Sequence, residues 1–181
     1  NYFNGNIDFG SSGSNVLSNT NELNTNVINK FTFNSSDFIS KLGFKNNFGI
    51  NLKNLNSVGK KSAKYKSSIQ SELVSLYNLD VSLPLKKDSQ KSKNYLTPKL
   101  SIRLNPHDMK NYSSSARNID AHNVFAINRL GLSDTLESGK SLTLGLDYSN
   151  ERKNDLNEIN NYFELKLATV LRDKTEKFIP K

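Results

Sequence analysis

Residues 123–148 read NVFAINRLGLSDTLESGKSLTLGLDY, and this stretch decides the fold of the chain. Its second half alternates strictly, with three leucines and Tyr148 on one side of an extended strand and Ser141, Thr143 and Asp147 on the other. Such alternation is typical of a strand whose two faces meet different surroundings. The first half crowds polar and charged residues between glycines, more densely than an ordinary hairpin requires. Together the two halves predict an outer-membrane β-barrel strand preceded by a structured loop.

The same period of two recurs along the chain, while helical periodicity is nearly absent. It appears at 27–33, 48–52, 77–85, 96–104 and 163–171, between polar clusters rich in Asn, Ser and Lys. Alternating strands of about ten residues are the signature of outer-membrane barrels, whereas strands of soluble sheets are usually about five or six residues long. The predicted fold class is therefore all-β, an antiparallel transmembrane outer-membrane β-barrel segment of about seven to eight strands from a larger barrel.

The polar clusters are expected to be the connections of this barrel. The longest, 105–140, is predicted to be extracellular, because outer-membrane barrels have short periplasmic turns and longer extracellular loops. An irregular segment of this length is uncommon unless it is functional or carries structure of its own. Strands alternate up and down, which assigns the other connections to the two ends. Those expected on the periplasmic side are 34–42, 86–94 and 150–160, and those expected outside are 10–23, 57–67 and 172–181.

Composition read alone would suggest disorder or a polar solenoid, and a barrel wall is a third explanation. Hydrophobic residues make up 35% of the 181 residues, and about one residue in seven is Asn. In a barrel only every second strand residue meets lipid, so a low mean hydropathy is compatible with membrane insertion. No cysteine is present, which excludes disulfides and Cys-based metal sites. The chain begins and ends within patterned sequence, so residues 1–181 are expected to be an internal fragment of a single barrel domain.

The net charge of +8 could indicate a surface for nucleic acid or anionic lipid. The lysines, however, cluster at 60–66 and 86–93, in predicted turns, and no basic stripe with interleaved aromatic residues is present. The excess is interpreted as solvated charge, and no nucleic-acid partner is expected.

Residues that could carry chemistry are sparse. His107 and His122 fall in the long loop beside Asp108 and Asp120, yet their spacing matches no closed metal site or catalytic set. The loop glycines do not form a phosphate-binding turn between a strand and a helix. The chain is therefore expected not to be an enzyme and to hold neither a metal nor a cofactor.

From residue 96 onward the sequence resembles the LptD (OstA) family of lipopolysaccharide-assembly proteins. The resemblance rests on LTPKLSIRLNP at 96–106, on the stretch at 123–148 and on FELKLATVLRDK at 163–174, and covers about half the chain. Two departures stand out, since Gly131 lies one position early and Thr135 replaces a common Arg. The loop residues that match the family motif are Phe125, Asn128, Arg129, Asp134, Glu137 and Gly139, and Gly131 lies near the position of the family's glycine.

This resemblance implies a non-enzymatic protein of the Gram-negative cell outer membrane that inserts lipopolysaccharide into the outer leaflet. It implies as partners lipopolysaccharide, outer-membrane lipid, a lipoprotein plug of the LptE type in the lumen, and periplasmic bridge proteins that contact parts outside this segment. The rival interpretations are another large outer-membrane barrel, such as a receptor or an autotransporter translocator, and a soluble β-rich adhesion or binding module.

Alternation assigns the wall residues to two sides. The residues expected to face lipid are Leu142, Leu144, Leu146, Phe163, Leu165 and Leu167, and those expected to line the lumen are Ser141, Thr143, Asp147, Glu164 and Lys166. The loop from Asn128 to Gly139 is expected to fold over or into the lumen, with its charges paired with each other or with the wall. Arg129 and Lys140 are the candidate cations for Asp134 and Glu137. The alternative for this loop is a solvated surface segment.

Overall fold

The structure is a computed structural model that describes residues 4–19, 21–109, 118–154 and 158–175. Regular structure within these ranges is entirely β. Among the same residues, no helix is long and apolar enough to cross a membrane. The strands are β1 (Gly5–Ser18), β2 (Glu22–Ser35), β3 (Phe38–Ile39), β4 (Lys45–Lys60), β5 (Gln70–Ser82), β6 (Leu85–Asp88), β7 (Ser92–Asn105), β8 (Gly139–Lys153) and β9 (Ile159–Arg172).

The strands form one antiparallel sheet in the order β1-β2-β4-β5-β7-β8-β9, with β3 added to β4 and β6 added to β7. The long strands therefore follow each other in space as they do in sequence, as in an up-and-down meander. Within the described residues the sheet is not closed, because β1 and β9 each have a strand neighbour on one side only. The prediction of an all-β antiparallel fold is confirmed.

One predicted connection is much shorter than expected, because the strands on either side extend into it. Residues 10–23 were expected to connect strands, but β1 continues to Ser18, and Asn19, at a φ of 47°, begins the turn to β2. The segment is rich in Ser, Asn and Gly, which usually disfavour strands, but its side chains pair across strands. Ser11 Oγ, for example, donates to Asn29 Oδ1 at 2.8 Å. The connection expected at 57–67 is instead shifted, because β4 continues to Lys60 and β5 begins only at Gln70, so that it spans 61–69.

The lysine-rich segment 86–94 was also expected to be a turn, and most of it is strand. Residues of β6 pair with the start of β7, so that Lys86 lies opposite Tyr95 and Asp88 opposite Lys93. The charged side chains do not interrupt this hairpin, and Lys86 Nζ lies 2.7 Å from Asp88 Oδ2 along the same exposed strand. Pro84 lies in the break between β5 and β6, where a residue without an N–H removes no ladder hydrogen bond.

The sheet has two chemically different faces. The face of Ser141 and Thr143 is mostly polar and lies beneath the long connection; we call it the covered face. The opposite face carries leucines and aromatic residues that remain exposed, such as Leu144 and Phe163 at 39% and 54%; we call it the apolar face. Exposed apolar surface on this scale is unusual for a soluble monomer.

The apolar residues form a band that runs obliquely across the strands. In β4 the band covers residues 48–52, and in β9 it covers 163–171. The midpoint of the band in β4 is Ile50, which aligns with Lys140 of β8 through Tyr77 and Leu104. The midpoint of the band in β9 is Leu167, which lies opposite Leu146 of β8. The band is thus displaced by six positions along β8, from 140 to 146, over the four steps from β4 to β9.

One strand pair is shorter than its neighbours. β5 and β7 align over six residue pairs, 77–82 with 99–104, while β7 and β8 align over fourteen. Residues 70–76 of β5 therefore pair with β4 but not with β7. The connection 106–138 leaves β7 at this end of the sheet, which we call the loop end. The connections 19–21 and 61–69 lie at the same end, as the strand order requires.

Candidate functional site

The described part of the long connection, residues 118–138, lies on the covered face; we call it the loop segment. Residues 110–117 of the predicted loop fall outside the described residues. The connection 106–138 has an apolar cluster of its own, in which Met109, Leu130 and Leu132 are buried and Ile119 packs against them. Because this cluster is formed within the connection, the segment packs as a small body and not as a solvated loop.

Local turns fix the path of the loop segment. Asp120 Oδ1 accepts the backbone N–H groups of His122 and Asn123, at 2.8 and 3.0 Å, in an Asx turn. Asn128 closes a second turn, where its Nδ2 donates to the carbonyl of Leu132 at 2.8 Å. Gly131 lies inside that turn with a φ of 69°, a conformation that glycine adopts without strain.

Arg129 joins this segment to the strand that follows it, and its guanidinium is fully buried. Nε and Nη2 both donate to the Glu137 carboxylate, a bidentate arrangement. Nη1 donates to the carbonyl of Val124 at 3.3 Å and to Thr143 Oγ1 at 3.0 Å, and Nη2 donates to Ser141 Oγ at 3.1 Å. A guanidinium has five N–H groups, and all five find an acceptor here.

Glu137 lies between two arginines. Its Oε1 accepts from Arg129 and also from Arg172 Nε of β9 at 3.2 Å. Burial would raise the pKa of Glu137, but hydrogen bonding and charge from Arg129, together with the charges of Arg172 and Arg103, outweigh it and hold the pKa below its ordinary value. The carboxylate is therefore ionised at neutral pH, as the ion pair requires.

Side chains of the wall also hold the backbone of the loop segment. Lys53 of β4 donates from Nζ to the carbonyls of Leu132 at 3.0 Å and Thr135 at 2.7 Å. Asn105, the last residue of β7, donates to the carbonyl of Glu137 at 2.9 Å. Carbonyl groups that lie outside a sheet ladder need such donors when they are buried. These bonds fix the segment to strands on both sides of the short β5–β7 pairing.

Phe125 packs on the backbone of β8. A Cβ added to Gly145 would lie 2.6 Å from the Phe125 ring, so the ring occupies the space that a side chain would need. The Lys99 ammonium lies 5.6 Å from the centroid of the same ring and forms an ion pair with Asp147. A cation at this distance from a ring is attracted by its quadrupole. Gly145 thus makes a shallow seat that admits the aromatic ring.

Asp134 and Gly139 occupy the two ends of the motif's second half. Asp134 is buried, and its Oδ2 lies 3.9 Å from Lys64 Nζ, in the neighbouring connection. Gly139 begins β8 with a φ of 81°, and a Cβ there would meet Asp173 Oδ1 at 2.9 Å. Glycine is therefore required where the segment turns into the strand.

The residues expected to form a structured loop lie together on the covered face. Arg129 and Glu137 pair with each other, whereas Asp134 faces Lys64 of the neighbouring connection. Of the two cations expected to pair with the loop carboxylates, Arg129 pairs with Glu137. Lys140 does not, because it lies opposite Leu104 on the apolar face. The second cation beside Glu137 is Arg172. The five polar wall residues share the covered face and the six apolar ones share the opposite face, as alternation requires. Which face meets lipid stays a prediction at this point.

Several important residues of the site are not singled out by the sequence. Lys53, Arg103 and Arg172 are strand residues that grip or flank the loop segment. Their signal was a charged side chain on the polar side of an alternating strand, which many solvated residues share. In the same way, Leu55 and Leu76 lie on the covered face among mostly polar residues and are buried at 2% exposure.

The buried ion pair predicts a large effect of a small change. Glu137→Gln should leave the Arg129 guanidinium buried with a neutral partner and lower the free energy of unfolding by about 3–5 kcal/mol, because an uncompensated buried charge is costly. The exposed pair of Lys86 and Asp88 is the control, and Asp88→Asn should cost less than about 1 kcal/mol. Urea unfolding of the full-length protein refolded in lipid measures both values. Equal effects of the two variants would contradict the assigned role of the pair.

The seat at Gly145 predicts a steric effect on the loop segment. Gly145→Val should displace Phe125 and make residues 118–138 accessible to protease, since a Cβ cannot share the space of the ring. The double variant with Phe125→Ala should regain part of the protection against the single valine variant. Gly10→Val is the control, because nothing lies within 4 Å of a Cβ at Gly10. Unchanged proteolysis of Gly145→Val would contradict the contact.

Comparison with known proteins places the chain in a family. A search among curated proteins finds no match. The family model described as LPS transport system D, LptD, matches residues 22–172, which include every strand from β2 to β9 and the whole loop segment. This match covers well over half of the chain, and the chain therefore belongs to the LptD family of lipopolysaccharide transport proteins.

Proposed function

We propose that this chain forms part of the wall of an outer-membrane β-barrel that inserts lipopolysaccharide into the outer leaflet. The observation that carries the proposal, beside the family, is the oblique apolar band. Its displacement of six positions over four strand steps is ~1.5 residues per strand, or ~5 Å along the strand for every ~4.8 Å across the sheet. If the band follows the plane of the bilayer, this ratio means that the strands are tilted by ~45° from the bilayer normal. The strands of membrane barrels are tilted by ~35–45°.

The two faces then have different solvents. The apolar face, with Leu144, Leu165 and Leu167 exposed, would meet lipid, and the covered face would line a hydrated lumen. Lipopolysaccharide is amphipathic, so a route for it needs a polar interior for its sugars and access to the bilayer for its acyl chains. The covered face supplies the polar surface, and the loop segment packs over part of that face. The loop end would be extracellular.

The open edges support a place within a larger barrel. β1 and β9 each present an unpaired row of backbone groups, which a bilayer does not tolerate. We therefore infer that further strands pair with both edges. The LptE-type plug would lie in the completed lumen, and the periplasmic bridge proteins would contact parts beyond these strands. The protein would act by transport and not by catalysis.

The family match favours this function over the two rivals. A receptor or an autotransporter translocator would share the oblique band but has no reason to carry the motif of the loop segment. A soluble adhesion module would need a second layer to bury the apolar face, since exposed patches of this size mark interaction with another surface. Among the described residues, the long connection covers the other face instead.

Depletion of the full-length protein tests the transport function. Newly made lipopolysaccharide should then fail to reach the cell surface and should accumulate behind the outer membrane. A copy with Asp134→Ala and Glu137→Ala should restore surface lipopolysaccharide less well than the natural sequence and leave the cells sensitive to large antibiotics, whereas a copy with Asp88→Asn should restore both. Normal surface lipopolysaccharide after depletion would sink the proposal.

Neighbouring residues of β9 test the assignment of the faces. Leu167 and Ala168 are both exposed, point to opposite faces and lie in a chain without cysteine. In intact outer membranes, Ala168→Cys should react with a water-soluble maleimide, and Leu167→Cys should react only with a lipid-soluble one. Equal reaction of both with the water-soluble reagent would contradict a lipid-facing apolar face.

A further inference from the structure

An apolar groove opens on the apolar face at the loop end of β7, β8 and β9. Ile102, Leu104, Leu142 and Leu171 contribute to its lining, and its volume is about 490 Å³. Such a volume lies in the ~300–1,000 Å³ range of clefts that bind small molecules. Its apolar character alone would not attract a membrane lipid, because lipid tails are as apolar as leucine. Specific binding at this place needs a polar group as well.

Lys140 supplies that group at the upper end of the groove. Below it on the apolar face, β8 continues with three leucines and Tyr148, so Lys140 is the first charged side chain above the band. Its side chain is exposed, and within the described residues no carboxylate forms an ion pair with its ammonium group. Asp173 also lines the groove, and its Oδ1 accepts the Lys140 N–H at 3.0 Å. The strand start is therefore fixed while the ammonium group remains available.

Lys140 lies at the edge of the apolar band, where the headgroups of membrane lipids are expected. Toward the loop end on the apolar face, the first polar position is Ser11 after Phe9 in β1, Asn29 after Phe31 in β2 and Asn54 after Leu52 in β4, with Leu17 and Val27 exposed beyond the first two. The three polar side chains form a hydrogen-bonded row, with Asn29 Nδ2 donating to Asn54 Oδ1 at 3.2 Å. Lys140 occupies the same position in β8. A polar row directly above an apolar band is expected where the wall passes from acyl chains to headgroups.

We propose that this groove binds one lipopolysaccharide molecule of the outer leaflet on the outside of the wall. One acyl chain lies along Ile102, Leu142 and Leu171, and a phosphate on the sugar headgroup pairs with Lys140. The inference rests on the proposed function, because it takes the loop end to be extracellular. Charge complementarity selects this occupant: the groove offers a cation at headgroup level, and lipopolysaccharide carries phosphate directly above its acyl chains. A zwitterionic phospholipid offers a phosphate whose charge is offset in the same headgroup.

Photo-cross-linking on the full-length protein tests the proposal. A photoreactive residue replaces Leu171 in the groove or, as the control, Leu165 on the same face of the same strand. The protein is placed in nanodiscs of lipopolysaccharide and phosphatidylethanolamine, irradiated, and analysed by mass spectrometry. Lipopolysaccharide adducts should be several-fold more abundant at 171 than at 165. Lys140→Gln should reduce the adducts at 171 to the level at 165, and Lys140→Arg should preserve them.

Each other outcome overturns the proposal. Equal lipopolysaccharide adducts at 171 and 165, or adducts at 171 that do not respond to Lys140→Gln, would show a groove without specificity. Phospholipid adducts at 171 would show a different lipid, and protein adducts would show an interface. If the Leu171 variant does not fold, judged by its heat-dependent electrophoretic mobility, the photoreactive residue is placed at Ile102, which is 47% exposed. Absence of any lipid adduct at 165 would instead contradict the membrane-wall function.

Discussion

The buried ion pair between Arg129 and Glu137 is the interaction on which the covered face depends. A guanidinium inside a protein is costly unless each of its donors is satisfied, and here two wall hydroxyls, one loop carbonyl and one carboxylate satisfy all five. Two of the acceptors, Ser141 and Thr143, belong to the strand that follows the loop segment. The polar side of β8 therefore serves as part of the binding site for its own preceding loop, which explains why the motif and the strand occur together in the sequence.

Much of this arrangement follows from the alternation of side chains. A period of two places Thr143 and Leu144 on opposite faces whatever the strand's partners are, so the two faces of β8 and β9 could be predicted from the sequence. Strand ends were harder, because residues such as Ser11 and Asn29 disfavour strands by propensity but pair with each other once the register brings them opposite. That pairing depends on the partner strand, which a local pattern does not contain.

The hydrogen bonds from strand side chains to the loop segment could not be predicted either, because they also depend on partners that are distant in sequence. Lys53 is separated from the carbonyls of Leu132 and Thr135 by 79 and 82 residues. Its contact with them depends on the register of each intervening strand pair and on the loop folding back over the covered face. A lysine at an alternating polar position looks the same in sequence whether it meets water or a carbonyl. The motif identified the segment that folds back, but only the topology identifies the side chains that receive it.

The short pairing of β5 with β7 gives the loop segment a further structural role. Six aligned residue pairs connect these strands, and 70–76 of β5 has no partner on β7, so this is the pairing with the least ladder hydrogen bonding between long strands of the described sheet. The loop segment bridges it, since Lys53 holds the segment on the β4 side while Asn105 and Arg129 hold it on the β7 and β8 side. Backbone hydrogen bonds that the ladder lacks are thus replaced by side-chain bonds on one face. The loop segment, and not the ladder alone, therefore connects the two parts of the wall at this end.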